Sequence, residues 1–223
     1  AAPRIPSLAE DNVMLTQDIY DFWRQVGHQY PMVDGHLSNE VYINSFKQVW
    51  QENCRRNKRT AADYAAICFH IPYTKMGKKA LLAGFEFEEQ AQQDRLLARY
   101  EESITYSRRV GNLYTGSLYL GLISLIENAT ILNENDRIGL FSYGSGAVAE
   151  FFSGRLVKGY QQQLNKQGHE ALLDARQKLS IEEYEQLIDE KIDVDVNKTF
   201  NDDLLYSIQE IRDTIRYYKE SNE

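Results

Sequence analysis

The chain has 223 residues, 43% of them hydrophobic, which is enough for one sizeable core and excludes a disordered or fibrous protein. Its 25 basic and 33 acidic residues leave a formal net charge of −8, which argues against nucleic acid or an anionic membrane as the main partner. Two cysteines make no disulfide framework, Cys54–Cys68 being the one bridge open to them, and a reducing cytoplasm is the default location. No apolar run reaches the roughly eighteen residues that a membrane helix needs. The opening A-A-P-R-I-P-S-L has neither a signal-peptide pattern nor an initiator Met, so a piece of a longer chain is an open reading.

No repeat or low-complexity linker divides residues 1–223, which read as one continuous domain. Residues 14–27 place apolar side chains at helical spacing and predict a helix. Y-P-M-V-D-G-H-L-S (30–38) then supplies Pro31, Gly35 and Ser38, the last as an N-cap, for a long helix to about Lys58. Residues 64–71 form a short apolar run ended by Pro72, the pattern of a strand buried on both faces and central in a sheet. Helical patterns follow over 73–84 and 88–107, broken at Gly111-Asn112. Residues 115–128 are apolar almost all round, as in a helix inside the protein. Two strands, 137–143 and 147–157, are joined by Gly144-Ser145-Gly146. Helices are predicted near 160–176 and 180–190, with Ser180 and Glu183 as a capping box, and a last strand over 204–208. Strands alternating with helices make a layered α/β protein with a covered sheet, in which ligand sites lie at strand ends.

The charge is unevenly placed. From Arg55 to Lys79 there are seven basic residues against Asp63, a local balance of +6. A solvated helix end is the more common source of such charges, but Lys75 and Lys79, four apart, share a helix face just past the strand end, where a polyanion could lie. His70 closes the strand, about 6–7 Å from Cys68 on the same face. That spacing invites a Cys-His nucleophile, but a cysteine in an apolar strand is more often a small buried hydrophobe. His70 is a candidate proton donor, a structural histidine being the even alternative. Asn112, ahead of the buried helix, could direct its amide at a ligand carbonyl, or serve as ordinary turn chemistry. Phe141-Ser142-Tyr143-Gly144-Ser145-Gly146 could present backbone N–H groups to an acyl oxygen. His28, His36 and His169 fit no metal-ligand spacing, so no metal is expected.

Five motifs in order, Y-D-F-W (20–23), Y-P-M-V-D-G-H-L-S (30–38), F-H-I-P-Y-T-K-M-G-K-K (69–79), G-N-L-Y-T-G-S (111–117) and F-S-Y-G-S-G (141–146), resemble the bacterial form of hydroxymethylglutaryl-CoA synthase, of the thiolase superfamily. The resemblance implies a thiolase-like layered αβαβα sandwich of which this chain is the C-terminal part. It implies an acyltransferase that condenses acetyl-CoA with acetoacetyl-CoA in the mevalonate pathway, with CoA thioesters as substrates and no cofactor. On that resemblance His70 is the acid or base at the acetoacetyl carbonyl, and Asn112 orients that group. Lys75 and Lys79 lie near the CoA phosphates, and Ser142, Tyr143, Gly144 and Ser145 belong to the loop that binds acyl oxygens. Asp21 and Tyr42 match residues near the site. The family's nucleophilic cysteine and general-base glutamate belong to its N-terminal half; Cys54 and Cys68 fall in segments that match other parts. The implied partners are therefore that N-terminal half and, when complete, a second subunit. Two alternatives stay open, a β-branching polyketide homologue acting on carrier-bound acyl groups and a non-catalytic acyl-CoA-binding or dimer-scaffold module.

Overall fold

The computed structural model describes residues 4–144, 147–190, 197–202 and 207–219, in two compact units divided after Asp174. In the first unit, the chain begins with strands β1 (Pro6–Leu8), β2 (Val13–Thr16), β3 (Phe22–Trp23) and β4 (Met32–Val33) and then enters helix α1 (Gly35–Asn57). Strand β5 (Ala66–Phe69), helices α2 (Thr74–Gly84), α3 (Gln90–Ser103), α4 (Ser107–Val110) and α5 (Gly116–Asn128), strands β6 (Arg137–Gly144) and β7 (Val148–Leu156), and helix α6 (Lys166–Asp174) follow. The sheet runs β5-β6-β7, with β1 and β2 both pairing antiparallel with β7, while β5 and β6 are parallel.

Instead of the expected helix, residues 14–27 form parts of two short strands, β2 and β3, with irregular chain between and after them. Val13 is buried, Leu15 half-buried, and Met14 and Thr16 exposed, so the apolar positions alternate with period two once β2 pairs with β7. The long helix is present, but its N-cap is Asp34, whose Oδ1 accepts from His36 N–H and Leu37 N–H at 3.1 and 3.0 Å; Ser38 lies inside the first turn. Strand β5 is fully buried as expected, yet it is an edge strand of the described sheet. Helices α3 and α5 pack on it and shield that edge.

Two cores flank the sheet. Phe69, Phe141, Tyr143 and Phe151 face α1 and α2, where Tyr42, Phe46 and Trp50 meet them in edge and tilted ring pairs 4.8 to 6.4 Å apart. Cys68, Ile138 and Leu140 face α5, through Leu118, Leu122 and Leu125. The result is a helix–sheet–helix layering with the C-terminal ends of the parallel β5 and β6 side by side. Gly139 sits where β6 crosses under two core side chains: a Cβ there would lie 2.7 Å from Phe151 and 3.1 Å from Ile67. Cys54 and Cys68 are both free.

The second unit contains helix α7 (Ile181–Asp189), started by the expected Ser180–Glu183 capping box, and a three-stranded sheet of β8 (Lys198–Thr199), β9 (Ile208–Arg212) and β10 (Ile215–Tyr218). Of the strand expected over 204–208, residues 204–206 lie outside the described residues, and β9 begins at Ile208. Among the described residues no helix is long and apolar enough to cross a membrane, and no group of three or more His, Cys, Asp or Glu side chains is placed to hold a metal ion.

Candidate functional site at the ends of the parallel strands

Register explains how one site draws on both cores. Phe69 pairs with Phe141 and Cys68 with Leu140, so Phe141 and Tyr143 point toward α1 while His70, two residues past Cys68, points toward α5. At the strand ends the two sides open into a cleft of about 310 Å³, lined among others by Tyr42, His70, Tyr73, Asn112 and Tyr143. Strand ends of this kind are the expected place for a ligand in an open α/β sheet.

His70 is half-buried and held through its backbone. Its N–H donates to Phe141 O at 2.7 Å, and its carbonyl accepts the Tyr42 hydroxyl at 2.5 Å. Burial lowers its pKa, which favours the neutral imidazole. The Ser117 hydroxyl lies 3.5 Å from its Nδ1. Asn112 accepts the Tyr114 N–H on Oδ1 at 2.8 Å, which commits that oxygen and leaves the amide nitrogen as its donor. Tyr114 itself stands at φ 48°, a left-handed conformation uncommon for a bulky residue, in a loop that starts at Gly111 with φ 84°.

Asp21 is not in the cleft lining; it has no exposed surface and lies behind two lining residues, Ser38 and Tyr143. Its Oδ2 accepts the Tyr143 hydroxyl at 2.9 Å and the Ser38 hydroxyl at 3.1 Å, while its Oδ1 is buried without a hydrogen-bond partner among the described residues. Burial, then the hydrogen bond to Asp21, pushes the Tyr143 pKa up; burial does the same for Tyr42. Both phenols therefore keep their protons across ordinary pH, and each has spent its proton inside the protein, leaving oxygen lone pairs to face the cleft.

The remaining expected residues stand differently. Ser142 alternates away from Tyr143 and is not in the cleft lining, and Gly144 ends β6. Ser145 and Gly146 lie outside the described residues. Lys75 and Lys79 are exposed on α2 and do not line the cleft. Lys79 instead lies against Tyr73, with its Nζ 3.4 Å from the hydroxyl and 5.7 Å from the ring centre, and that hydroxyl donates to Asn39 at 2.8 Å. The cysteines give no nucleophile: burial pushes the Cys68 thiol up to about 12, and burial, helped by Glu88 and Asp63, does the same for Cys54. Sequence reasoning did not find Tyr73, Asn39 or Ser117. For Ser117 a signal existed, a hydroxyl in the first turn of a largely apolar helix, directly after the Gly-Asn turn.

A sheet with a parallel pair of strands at one side, helices on both faces and a cleft at the ends of that pair is the arrangement of one half of the thiolase-like condensing enzymes. The chain aligns over 97% of its length with a crystal structure of an HMG-CoA synthase complexed with CoA, at a TM-score of 0.89 and 39% identity, covering 57% of that structure. It belongs to the hydroxymethylglutaryl-coenzyme A synthase C-terminal family, whose model matches residues 12–97 and 86–222. It is 66% identical over 217 residues, 97% of this chain, to the hydroxymethylglutaryl-CoA synthase of Enterococcus faecalis, and spans 57% of that protein. Over 169 residues, 69% of the chain and 38% of the relative, it is 33% identical to the Bacillus subtilis polyketide biosynthesis 3-hydroxy-3-methylglutaryl-ACP synthase PksG. The chain thus spans about half the length of the curated relatives it matches.

Proposed function

We propose that this chain supplies the acetoacetyl- and CoA-binding half of an HMG-CoA synthase, which condenses acetyl-CoA with acetoacetyl-CoA, and that a preceding half carries the nucleophilic cysteine and the general-base glutamate. The supporting observation is the convergence of His70, Asn112, Tyr42 and Tyr143 on one cleft whose lining contains, among the described residues, no cysteine and no carboxylate. Such a set can bind an acyl carbonyl and deliver a proton, but it cannot carry an acyl group or remove a methyl proton. When the acetyl carbanion attacks the ketone carbon of acetoacetyl-CoA, a C–C bond forms and the carbonyl oxygen becomes an alkoxide. Neutral His70 gives that oxygen its proton, and the Asn112 amide hydrogen-bonds the acetoacetyl chain. Water then releases the product from the cysteine of the other half. On this reading Lys75 and Lys79 bind the CoA phosphates; in support, both are exposed on the helix whose first turn borders the cleft.

The test uses the complete enzyme. His70→Ala is expected to lower kcat by about 10²- to 10⁴-fold. Lys75→Glu and Lys79→Glu are expected to raise KM for CoA substrates with little change in kcat. A His70→Ala enzyme with normal turnover would overturn the reading, and an unchanged KM would leave the two lysines as helix solvation. Turnover of carrier-bound but not free acetoacetyl thioester would move the assignment to the β-branching class.

A further inference from the structure

A neutral histidine has one N–H, and the nitrogen that bears it decides whether His70 can donate into the cleft or only accept from it. Ser117, on the first turn of α5, has no exposed surface. Its Oγ accepts the Ile71 N–H at 2.9 Å, which fixes the hydroxyl just behind the strand end. Among the described residues, its other hydrogen-bond partner is His70 Nδ1 at 3.5 Å. A hydroxyl has a single proton and two lone pairs; with one lone pair taken by Ile71 and no solvent at the oxygen, the Nδ1 lone pair is the acceptor left for that proton. The opposite polarity, Nδ1–H donating to Oγ, would bury the serine proton unbonded, the more costly arrangement.

We infer that Ser117 is the positioning residue of His70: its hydroxyl donates to Nδ1 and thereby places the ring proton on Nε2. A distance at the outer limit of hydrogen bonding makes this an orienting contact more than a stabilising one. It is reinforced by the two backbone bonds that hold His70 from Phe141 and Tyr42. Among the described residues the titratable neighbours in the cleft lining are tyrosines, with no charged side chain to impose a different protonation.

The catalytic meaning of this assignment rests on the proposed role of His70, but the tautomer itself is measured without substrate. Ring nitrogen NMR on the ¹⁵N-histidine-labelled chain near neutral pH is expected to show His70 with Nδ1 unprotonated and Nε2 protonated. Ser117→Ala should shift it toward the Nδ1–H form, and Ser117→Thr, which keeps the hydroxyl, should restore Nε2–H. Protonated Nδ1 in the unaltered chain, a reading that needs no variant to fold, would overturn the inference; so would an unchanged tautomer in folded Ser117→Ala. In the complete enzyme Ser117→Ala should lower kcat by at least about tenfold with KM little changed, and Ser117→Thr should recover it. A displaced tautomer with undiminished kcat would instead count against His70 as the acid.

Discussion

At the scale of single residues, a buried ion-pair network around Asp11 lies away from the cleft. Asp11 is almost fully buried; its Oδ1 accepts the Ser153 N–H at 2.9 Å, and its Oδ2 accepts from the Ser153 hydroxyl, Arg59 and, at 3.2 Å, Arg137. Burial by itself would raise the carboxyl pKa, but the bonds from Ser153 and Arg59 outweigh it and hold the group below its ordinary value. A carboxylate with a depressed folded-state pKa contributes stability that is present above its unfolded value, near 3.9, and is lost as pH falls through the folded value. His70 acts in the same direction: burial lowers its pKa, so protonation of the unfolded chain below about pH 6.5 draws the equilibrium away from the fold. The expected outcome is a stability that declines on acidification in two stages, first through the histidine range and then through the carboxylate range. Asp11→Asn should shrink the second stage, to which Glu52 and Glu127 also contribute through their lowered pKa values. By leaving Arg137 buried without its anion, the substitution should cost about 3–5 kcal/mol at neutral pH, read from urea midpoints. Identical acid profiles in the variant and the unaltered chain would show that Asp11 is not the group responsible.

At the scale of elements, what was legible in the sequence is what local pattern specifies. The apolar run ending at Pro72 became β5, the all-round apolar 115–128 became the buried α5, and Ser180 with Glu183 became a capping box. His70 and Asn112 were recognisable because each sits where an element ends, and the two ends meet at one cleft. Residues 14–27 misled because four strand residues followed by turns can mimic helical spacing until the partner strand β7, more than a hundred residues on, is known. Ser38 had the right chemistry for a cap, but its hydroxyl serves Asp21 while Asp34 caps the helix. The Asp11 network had no local signal, since its members come from four separate segments. Close approach between helices was equally hidden. A Cβ on Gly77 of α2 would lie 2.6 Å from the Tyr100 ring of α3, whose hydroxyl donates to Thr74 O at 2.6 Å. Gly77→Ala would gain about 1 kcal/mol of helix propensity, yet it should destabilise the chain by about 1–3 kcal/mol because Tyr100 must leave its place. A melting temperature at or above that of the unaltered chain would show that α2 and α3 yield without cost.

At the scale of the whole molecule, the two units differ in what they can bury. The first packs two apolar cores on a five-stranded sheet. The second, a segment of roughly fifty residues, is of a size at which a core alone gives marginal stability. Its described residues bury little: α7 has no buried residue and leaves Ile181, Tyr184, Leu187 and Ile188 exposed, and Ile211 on β9 is the one buried hydrophobic side chain of its sheet among the described residues. With so few apolar contacts beneath them, the hydrogen bonds of β9 and β10 should open at a free energy well below that of global unfolding. Hydrogen exchange on this chain is therefore expected to label the β9 and β10 amides orders of magnitude faster than those of β5, β6 and β7, and limited proteolysis should cut within 175–219 before it cuts within 4–174. Protection of β9 and β10 equal to that of β6 would mean that the small sheet draws its stability from the global fold and would sink the prediction. The cleft residues His70, Asn112, Tyr42 and Tyr143 all belong to the first unit, so the rapid opening of β9 and β10 should leave the His70 tautomer and its ring contacts unchanged.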